Sequence, residues 1–294
     1  MKRARLIYNP VAGRGLVVRM LPKLLDCLER AGFETSAFAT SGHWSAANEA
    51  RRAAEAGFDT VIAAGGDGTI HEVVNGLAGF ESPPRLGILP AGTTNDLARA
   101  LGIPRDLVRA CQAVVNGRTV KMDVGRSQDR YFINVAAVGR MAEVSYEAPI
   151  RWKARFGPLA YYAKALEKVG QLSRPFPVRI ETGDRTWEEE ILLMVAANSG
   201  SVGGFRRLAP EARVDDGLMD VLVVPAARFG DLVQLVSLAV QGKHLDDPRL
   251  IYFRTDRLKV DTPEPLALNL DGEWGGERAG QLEMIPRRLE IYRM

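Results

Sequence analysis

The fold of this chain is decided by the stretch Val61-Ile62-Ala63-Ala64-Gly65-Gly66-Asp67-Gly68-Thr69-Ile70-His71-Glu72-Val73-Val74-Asn75. It runs from a short apolar segment through a glycine-rich turn into a segment whose apolar residues have helical spacing. Glycines let the backbone turn tightly and approach a bulky anion with no side chain in between. The following helix directs free N–H groups and its positive dipole end at the turn. The stretch therefore predicts a strand, a phosphate-binding turn and a helix.

Asp67 is an unusual residue for such a turn, because a carboxylate repels phosphate. Its presence is explained if a divalent cation or a basic side chain lies between the two charges, as in phosphoryl-transfer sites. The alternative is an ordinary strand–turn–helix corner in which the aspartate serves as a cap.

The same pattern of strand, glycine turn and helix recurs in Gly87-Ile88-Leu89-Pro90-Ala91-Gly92-Thr93-Thr94-Asn95-Asp96-Leu97-Ala98-Arg99. The residues from Thr93 to Asp96 are N-cap types that also hydrogen-bond phosphate, ribose or metal-bound water. Two strands of one parallel sheet would bring both turns to the same edge, where such sheets bind ligands. We therefore expect the two turns to form one site.

A resemblance to the bacterial diacylglycerol-kinase-like lipid kinases, whose relatives include sphingosine and ceramide kinases, rests on this pairing of GGDGT with PAGTTNDLAR. The first turn alone also resembles turns in NAD kinases and 6-phosphofructokinases, whereas the pairing is far more specific. The resemblance covers essentially the whole chain. It implies transfer of the γ-phosphoryl group of Mg²⁺·ATP to the hydroxyl of a lipid such as diacylglycerol.

The resemblance also implies a set of nucleotide contacts. Asn9-Pro10-Val11-Ala12-Gly13 resembles the family's opening nucleotide turn, and Thr40-Ser41-Gly42-His43 resembles its adenine-side turn. Trp44 stands where the family usually has a small residue, and Arg14 stands where a lysine is common, which bears on affinity more than on reaction type. The implied nucleotide-binding residues are Asn9, Pro10, Val11, Ala12, Gly13, Thr40, Gly65, Gly66, Asp67, Gly68, Thr69, Glu72, Thr93, Thr94 and Asn95.

A metal-binding stretch is implied in the second half of the chain. The residues that resemble it are Asn198, Gly203-Gly204, Pro210 and Asp215-Asp216-Gly217-Leu218-Met219-Asp220. The carboxylate of Asp216 and the backbone carbonyls of Arg213 and Leu218 form a ligand set that suits Mg²⁺ or Ca²⁺. We expect such an ion to have a structural or orienting role. The alternative is a plain Asp-Gly turn.

The catalytic segment implied by the resemblance is Leu270-Asp271-Gly272-Glu273. Phosphoryl transfer to a lipid hydroxyl requires a group that accepts the hydroxyl proton. Glu273 is the first candidate for this base and Asp271 is close behind, since the sequence does not separate them. The alternative is a solvated hairpin tip.

Three further acids, Asp67, Asp96 and Asp123, complete the predicted catalytic set. If they converge, their mutual repulsion requires Mg²⁺ or a basic side chain, for which Arg14, Lys153 and Lys164 are candidates. The resemblance favours a hydrogen-bonded network tied to the Mg²⁺ of the nucleotide. Asp123, which lies between Met122 and Val124, has the alternative of a paired charge in the core.

Two other functions are weighed against a lipid kinase. NAD-kinase-like phosphorylation of a soluble nucleotide is disfavoured by PAGTTNDLAR and by the Asp215-Asp216-Gly217 stretch. A non-catalytic lipid- or nucleotide-binding regulator on the same fold is disfavoured by the intact acidic set. The chain has no Walker A motif and no complete dinucleotide fingerprint, and its three histidines lack metal-ligand spacing.

Composition and net charge argue against several classes of protein. The chain has 294 residues, of which 46% are hydrophobic and 26% are charged, as in ordinary globular proteins. A net charge of +3 is too small to indicate nucleic-acid binding, although it suits an anionic nucleotide or lipid surface. The two cysteines, Cys27 and Cys111, are predicted to be buried free thiols, as in a reducing cytosol.

The expected location is the cytoplasm, with peripheral contact to a membrane. No signal peptide follows Met1, and no apolar run approaches the roughly 20 residues that span a bilayer. The segment Arg151-Trp152-Lys153-Ala154-Arg155-Phe156 is either an ordinary amphipathic surface or a contact with anionic lipid. The lipid acceptor and the oligomeric state stay open, a homodimer included.

The pattern of predicted secondary structure changes near residue 122. Before it, strands alternate with helices, which predicts a Rossmann-like parallel α/β domain over residues 1–122. After it, β-rich segments predict an antiparallel β-sandwich over residues 123–294. The predicted elements are strands at Ala4–Tyr8, Thr35–Thr40, Thr60–Ala64, Leu86–Leu89, Val120–Gly125, Tyr131–Val138, Val178–Thr182, Ile191–Ala197, Met219–Val224, Leu258–Asp261, Leu266–Leu270 and Arg288–Tyr292, and helices at Leu16–Ala31, Ser45–Ala56, Ile70–Leu77, Asp96–Leu101, Arg105–Asn116, Leu159–Leu172 and Phe229–Val240.

Overall fold

The structure is a computed structural model that describes residues 2–139, 174–202 and 207–294. Several sequence predictions lie outside the described residues. They are the helix at Leu159–Leu172, the cationic segment Arg151–Phe156, the candidate cations Lys153 and Lys164, and Gly203-Gly204.

The first part of the chain forms a parallel sheet with strand order β4-β3-β1-β2. Neighbouring strands pair in parallel, as in Ala4↔Thr60 and Val61↔Leu86. The strands are β1 (Lys2–Tyr8), β2 (Phe33–Ala39), β3 (Thr60–Gly65) and β4 (Arg85–Pro90), and the helices are α1 (Leu16–Arg30), α2 (Ser45–Glu55), α3 (Asp67–Leu77), α4 (Asp96–Ala100) and α5 (Leu107–Asn116).

The sequence explains these elements locally. All six residues of β3 are buried, as expected for an apolar run at the centre of a parallel sheet. Helix α5 begins where the Asp106 carboxylate accepts the Arg109 N–H, and it ends at Gly117, which has φ 71°.

The second part of the chain is built from antiparallel strands and buries a separate core, which includes Phe132, Ile191 and Leu282. This architecture confirms the predicted fold class of a parallel α/β unit followed by an antiparallel β unit. Its elements are β5 (Thr119–Ser127), β6 (Arg130–Phe132), β7 (Val135–Val138), β8 (Phe176–Glu181), β9 (Thr186–Ala197), β10 (Met219–Pro225), α6 (Phe229–Gln241), β11 (Ile251–Thr255), β12 (Arg257–Asp261), β13 (Leu268–Leu270), β14 (Glu273–Gly276) and β15 (Gly280–Tyr292).

Strand pairing joins the two units. β15 pairs antiparallel with β5 along most of its length, and it also pairs with β4 at Ile291↔Leu86. Leu289 and Ile291 therefore belong to the core of the first unit although they are near the end of the chain. The division at residues 122 and 123 remains a prediction, and residues there lie in a paired strand.

Several elements differ from their predictions, among them Ile251–Thr255, a strand that was not predicted, and three of the differences bear on the site. Helix α3 begins at Asp67 rather than Ile70, because the motif itself forms the first helical turn. The predicted strand Tyr131–Val138 is two strands, since the N–H groups between them bind a side chain described below. The last strand begins at Gly280 and has an irregular register between Ile285 and Leu289.

Candidate active site

Three turns meet at the carboxyl-terminal edge of the parallel sheet. The Asn9 N–H donates to the Ala64 carbonyl at 3.0 Å, and the Ala91 N–H donates to the Gly65 carbonyl at 2.8 Å. These bonds continue the strand ladder past the ends of β1, β3 and β4. The sequence prediction that both glycine turns share one edge is therefore correct in geometry.

The turns touch through their backbones. A Cβ atom on Gly92 would lie 2.6 Å from the Cα of Gly66, and a Cβ on Gly13 would lie 2.9 Å from the Ala91 carbonyl oxygen. Neither position leaves room for a side chain in this arrangement. The result is a surface of main chain at the start of α3, which is the kind of surface that accepts a phosphate group.

Asp67 joins the two glycine turns. Its carboxylate accepts the N–H groups of Asn95 at 2.8 Å and Asp96 at 2.9 Å, where α4 begins. Burial raises the pKa of Asp67, while these two N–H groups act in the opposite direction. The aspartate is thus a cap, as the alternative proposed, but it caps the helix of the second motif rather than its own.

The other predicted nucleotide residues lie along the same edge. Thr40 donates its N–H to the Tyr8 carbonyl at 2.9 Å, directly after β2. The Asn9 side chain accepts the Val11 N–H at 3.0 Å and so closes the first turn. Glu72 accepts the Ala46 N–H at 3.0 Å at the start of α2. Val11 and Thr93 are exposed, and the remaining members of the set belong to the three turns.

Asp96 faces the boundary between the two units. It accepts hydrogen bonds from Ser201 at 3.0 Å and from Arg99 at 3.2 Å. A cavity of about 480 Å³ lies beside this group, and Arg99, Ser201 and Asp215 are among the residues that line it. Asp96 therefore connects the second motif with the β unit.

The side chain of Asp271 is buried, with 2% of it exposed, and four donors surround its carboxylate. The N–H groups of Ile133, Asn134 and Val135 donate to it at 2.8, 2.8 and 3.0 Å, and His71 Nδ1 lies 3.0 Å from Oδ2. An ionised carboxylate has about four lone-pair positions. All of them are used, which leaves no free oxygen for a substrate proton. The solvated-tip alternative is wrong for this residue.

Glu273 has different surroundings although it lies two residues away. It is half-buried, and its Oε1 would be 2.9 Å from a Cβ placed on Gly68. The carboxylate therefore faces the glycine-rich turn at the start of α3 across the boundary between the units. Of the two acids that the sequence could not separate, Glu273 is the one whose oxygens face that turn.

Asp123 is fully buried in β5, and burial raises its pKa. Its carboxylate accepts the N–H groups of Gly217 and Arg287 at 2.6 Å each. The Arg287 bond occurs where β15 has its irregular register. The described hydrogen bonds of Asp123 thus hold two backbone irregularities, and they do not link it to Asp67 or Asp96.

The predicted metal turn is held by protein groups in this structure. Asp216 forms an ion pair with Arg254 and accepts the Leu218 N–H at 3.1 Å. Among the described residues, no group of three or more acidic, histidine or cysteine side chains is arranged to hold a metal ion. A cation bound to the Asp216 carboxylate would compete with Arg254 for the same oxygens.

Sequence reasoning missed several residues around Asp271. The sequence patterns indicate no functional role for His71, Asn75, Arg130 or Tyr131. Asn75 is joined to the Tyr131 backbone by two bonds of 2.9 Å. The only sequence signal was the i, i+4 spacing of His71 and Asn75, which places them on one face of α3.

Comparisons with known proteins agree with this geometry. The family model described as diacylglycerol kinase catalytic domain matches residues 3–127, and that described as YegS C-terminal NAD kinase beta sandwich-like domain matches residues 134–293. Diacylglycerol kinase of Bacillus subtilis (strain 168) is 43% identical over 292 residues, covering 99% of this chain and 96% of that protein. The chain belongs to the diacylglycerol kinase family.

Other members of the diacylglycerol kinase family show the same extent of similarity. Diacylglycerol kinase of Staphylococcus carnosus (strain TM300) is 42% identical over 291 residues, covering 99% of this chain and 95% of that protein. A crystal structure of a diacylglycerol kinase from Bacillus anthracis str. Sterne aligns with a TM-score of 0.83 at 26% identity, covering 100% of this chain and 97% of that one. The family predicted from the paired turns is confirmed, and the chain is a lipid kinase. No helix within the described ranges is long and apolar enough to cross a membrane.

Proposed function

We propose that this lipid kinase transfers the γ-phosphoryl group of Mg²⁺·ATP to the hydroxyl group of diacylglycerol. The observation that carries the proposal is the position of Glu273, whose carboxylate faces Gly68 in the phosphate-binding turn. The candidate proton acceptor and the candidate phosphate-binding turn thus lie on opposite sides of one boundary. Relatives that match nearly the full length of the chain are named diacylglycerol kinase, which supports this acceptor.

The nucleotide would lie along the three backbone turns. Main-chain N–H groups at the start of α3 would bind its phosphates, because glycines at positions 13, 66 and 92 keep side chains away from that surface. Thr40 and Glu72 lie at the same edge and would contact the nucleoside. Magnesium enters as part of the nucleotide substrate and would reduce the negative charge of the phosphates.

Glu273 would act as the general base. It would accept the proton of the lipid hydroxyl as the hydroxyl oxygen attacks the γ-phosphorus and the bond to the β–γ bridging oxygen breaks. Asp271 would hold the hairpin in place, since its four hydrogen bonds occupy its carboxylate. Asp67 would fix the two glycine turns relative to each other.

A second metal ion is proposed at the Asp215-Asp216-Gly217 turn. One carboxylate of Asp216 and the carbonyls of Arg213 and Leu218 are oxygen donors, which are the ligands that Mg²⁺ and Ca²⁺ prefer. The buried Asp220 oxygen Oδ2 has no hydrogen bond, and Arg254 is the cation near it at 3.4 Å. A second cation at this turn would offset that acidic group, and we assign it a structural role.

Access to a lipid acceptor implies contact with a membrane surface from the cytoplasm. The net charge of +3 favours adsorption to anionic lipid over neutral lipid. Flotation with phosphatidylglycerol vesicles and with phosphatidylcholine vesicles would measure this preference. Equal flotation with both would contradict an electrostatic contact.

The oligomeric state is a separate question. Sedimentation of the protein without vesicles would show whether a homodimer forms.

A panel of acceptors tests the reaction. The enzyme would be given γ-labelled ATP with diacylglycerol, phosphatidylglycerol, a sphingoid base or NAD, and the labelled products would be identified. We expect transfer to diacylglycerol. Transfer to NAD alone would support the NAD-kinase alternative, and no transfer to any acceptor with full ATP binding would support a non-catalytic regulator.

A further inference from the structure

The hairpin that carries Glu273 is attached to the helix that follows the phosphate-binding turn. The attachment is made by His71 of α3, whose side chain is 2% exposed and whose Nδ1 lies 3.0 Å from Asp271 Oδ2. The two residues are 200 positions apart in the sequence. This contact crosses the boundary between the two units at the level of the candidate base.

Asn75 holds α3 against the strand that leads to the Asp271 site. Its Oδ1 accepts the Tyr131 N–H at 2.9 Å, and its Nδ2 donates to the carbonyl oxygens of Tyr131 at 2.9 Å and His71 at 3.0 Å. These bonds use both N–H groups of the amide and lie beside the His71 ring. A carboxylate accepts hydrogen bonds, so the contact of His71 Nδ1 with Asp271 is a bond in which the histidine donates.

An aromatic stack covers this buried pair from outside. The Trp44 ring centroid lies 6.2 Å from that of His71, and the Arg130 guanidinium lies 5.3 Å from Trp44 and 5.2 Å from Trp274. Arg130 also donates to the Trp274 carbonyl at 2.7 Å. A cation between two tryptophans joins the turn before α2 to the strand that begins with Glu273. The hairpin is thus held by two contacts, the buried His71–Asp271 pair and the stack of Arg130 between Trp44 and Trp274.

We propose that His71 is a positioning residue for Glu273. Through Asp271 it fixes the hairpin against α3, so that the Glu273 carboxylate faces the turn that would hold the γ-phosphate. The inference rests on the proposed function of Glu273. A displacement of about 1 Å at a reacting group can cost 10²-fold in rate, so the attachment matters for turnover even though His71 does not contact substrate.

The test is a double-mutant cycle with two replacements at one position. His71→Leu removes the donor, while His71→Asn keeps an N–H on the same branch of the side chain. We expect His71→Leu to lower kcat about 10- to 100-fold with an unchanged KM for ATP, and His71→Asn to stay within about 3-fold of the parent. Melting temperatures of all variants would be measured in parallel.

The second side of the cycle repeats His71→Leu in the Glu273→Gln protein. If His71 acts through Glu273, its loss has little further effect there, because neighbours that act as a unit are not additive. The positioning role alone would be overturned if His71→Leu lowered kcat by the same factor in the parent and in Glu273→Gln. Equal losses of kcat in His71→Leu and His71→Asn would overturn it as well. Parental kcat in Glu273→Gln would overturn the proposed base as well. If His71→Leu fails to fold, Asn75→Ala, which removes the two bonds between α3 and the Tyr131 backbone beside this contact, is used in the same cycle.

Discussion

The sheet edge and the hairpin from Leu270 to Trp274 face each other, but they are built in different ways. At the edge, short-range motifs place backbone atoms in contact, as where Gly92 meets Gly66. At the hairpin, one carboxylate is held by backbone N–H groups from 136 to 138 positions away and by His71. The turns proposed to bind the nucleotide are therefore encoded in short motifs, whereas the hairpin proposed to face the acceptor depends on contacts between residues far apart in the sequence.

The largest effect is expected at the edge. Asp67→Ala removes the acceptor of the Asn95 and Asp96 N–H groups, so the two turns should separate and turnover should fall below detection. The fold should remain, since loss of a cap costs about 1 kcal/mol. Asp67→Asn is the matched control, because it keeps one acceptor oxygen and removes the charge. Near-normal turnover of the alanine variant would contradict this role, and an active asparagine variant would show that the cap, not the charge, is what matters.

The next effect concerns the hairpin. Glu273→Gln keeps shape and hydrogen-bonding reach but cannot accept a proton, so kcat should fall by ~10²–10⁴. Nucleotide affinity should change little, because the proposed nucleotide contacts are in the other unit. Glu277→Gln, at an exposed acid just past β14, is the control and should be silent. If Glu273→Gln also lost ATP binding, the hairpin and the sheet edge would not have separate roles.

A smaller effect tests the backbone contact at the edge. Gly92→Ala places a Cβ 2.6 Å from the Gly66 Cα, so the turns must shift, at a cost of about 1–3 kcal/mol. Gly42→Ala is the control, since a Cβ there meets no atom within 4 Å. Urea denaturation of both proteins measures the difference. Equal free energies of unfolding would show that the two turns do not need their close approach.

The smallest effect is expected at the turn that contains Asp216, which lies outside both regions. Asp216→Ala should lower activity partially and remove the rise in melting temperature that Mg²⁺ produces, if a cation binds there. Arg254→Ala removes the ion-pair partner but leaves the carboxylate, and it should keep or increase that rise. Identical responses of both variants and the parent to Mg²⁺ would show that this is only a turn.

The sheet edge and the hairpin also differ in how well the sequence predicts them. The parallel sheet, its turns and the family were predictable because each motif lies within about a dozen residues. The break between Phe132 and Val135 was not, since its N–H groups bind Asp271, far away in sequence. The strand Glu273–Gly276 was also missed, because glycine has low β propensity and its pairing with β13 decides its structure.

Asp123 is a second residue whose role the sequence could not decide, because its partners are distant in the sequence. Its sequence context allowed either a catalytic acid or a paired core charge, and the structure shows bonds to the Gly217 and Arg287 N–H groups. Those partners are 94 and 164 positions away. Local patterns identified an unusual buried acid, but only the fold shows what it binds.

The most direct test of Glu273 as the base is the pH dependence of kcat for the parent, Glu273→Gln and Asp271→Asn, measured with saturating ATP. We expect the parent rate to fall at acidic pH, and we expect Glu273→Gln to lose this acidic limb together with most of its rate. Asp271→Asn should be slower and less stable, because its amide cannot accept all four hydrogen bonds, but it should retain the limb. If Asp271→Asn loses the limb and Glu273→Gln keeps both limb and rate, the base has been assigned to the wrong carboxylate.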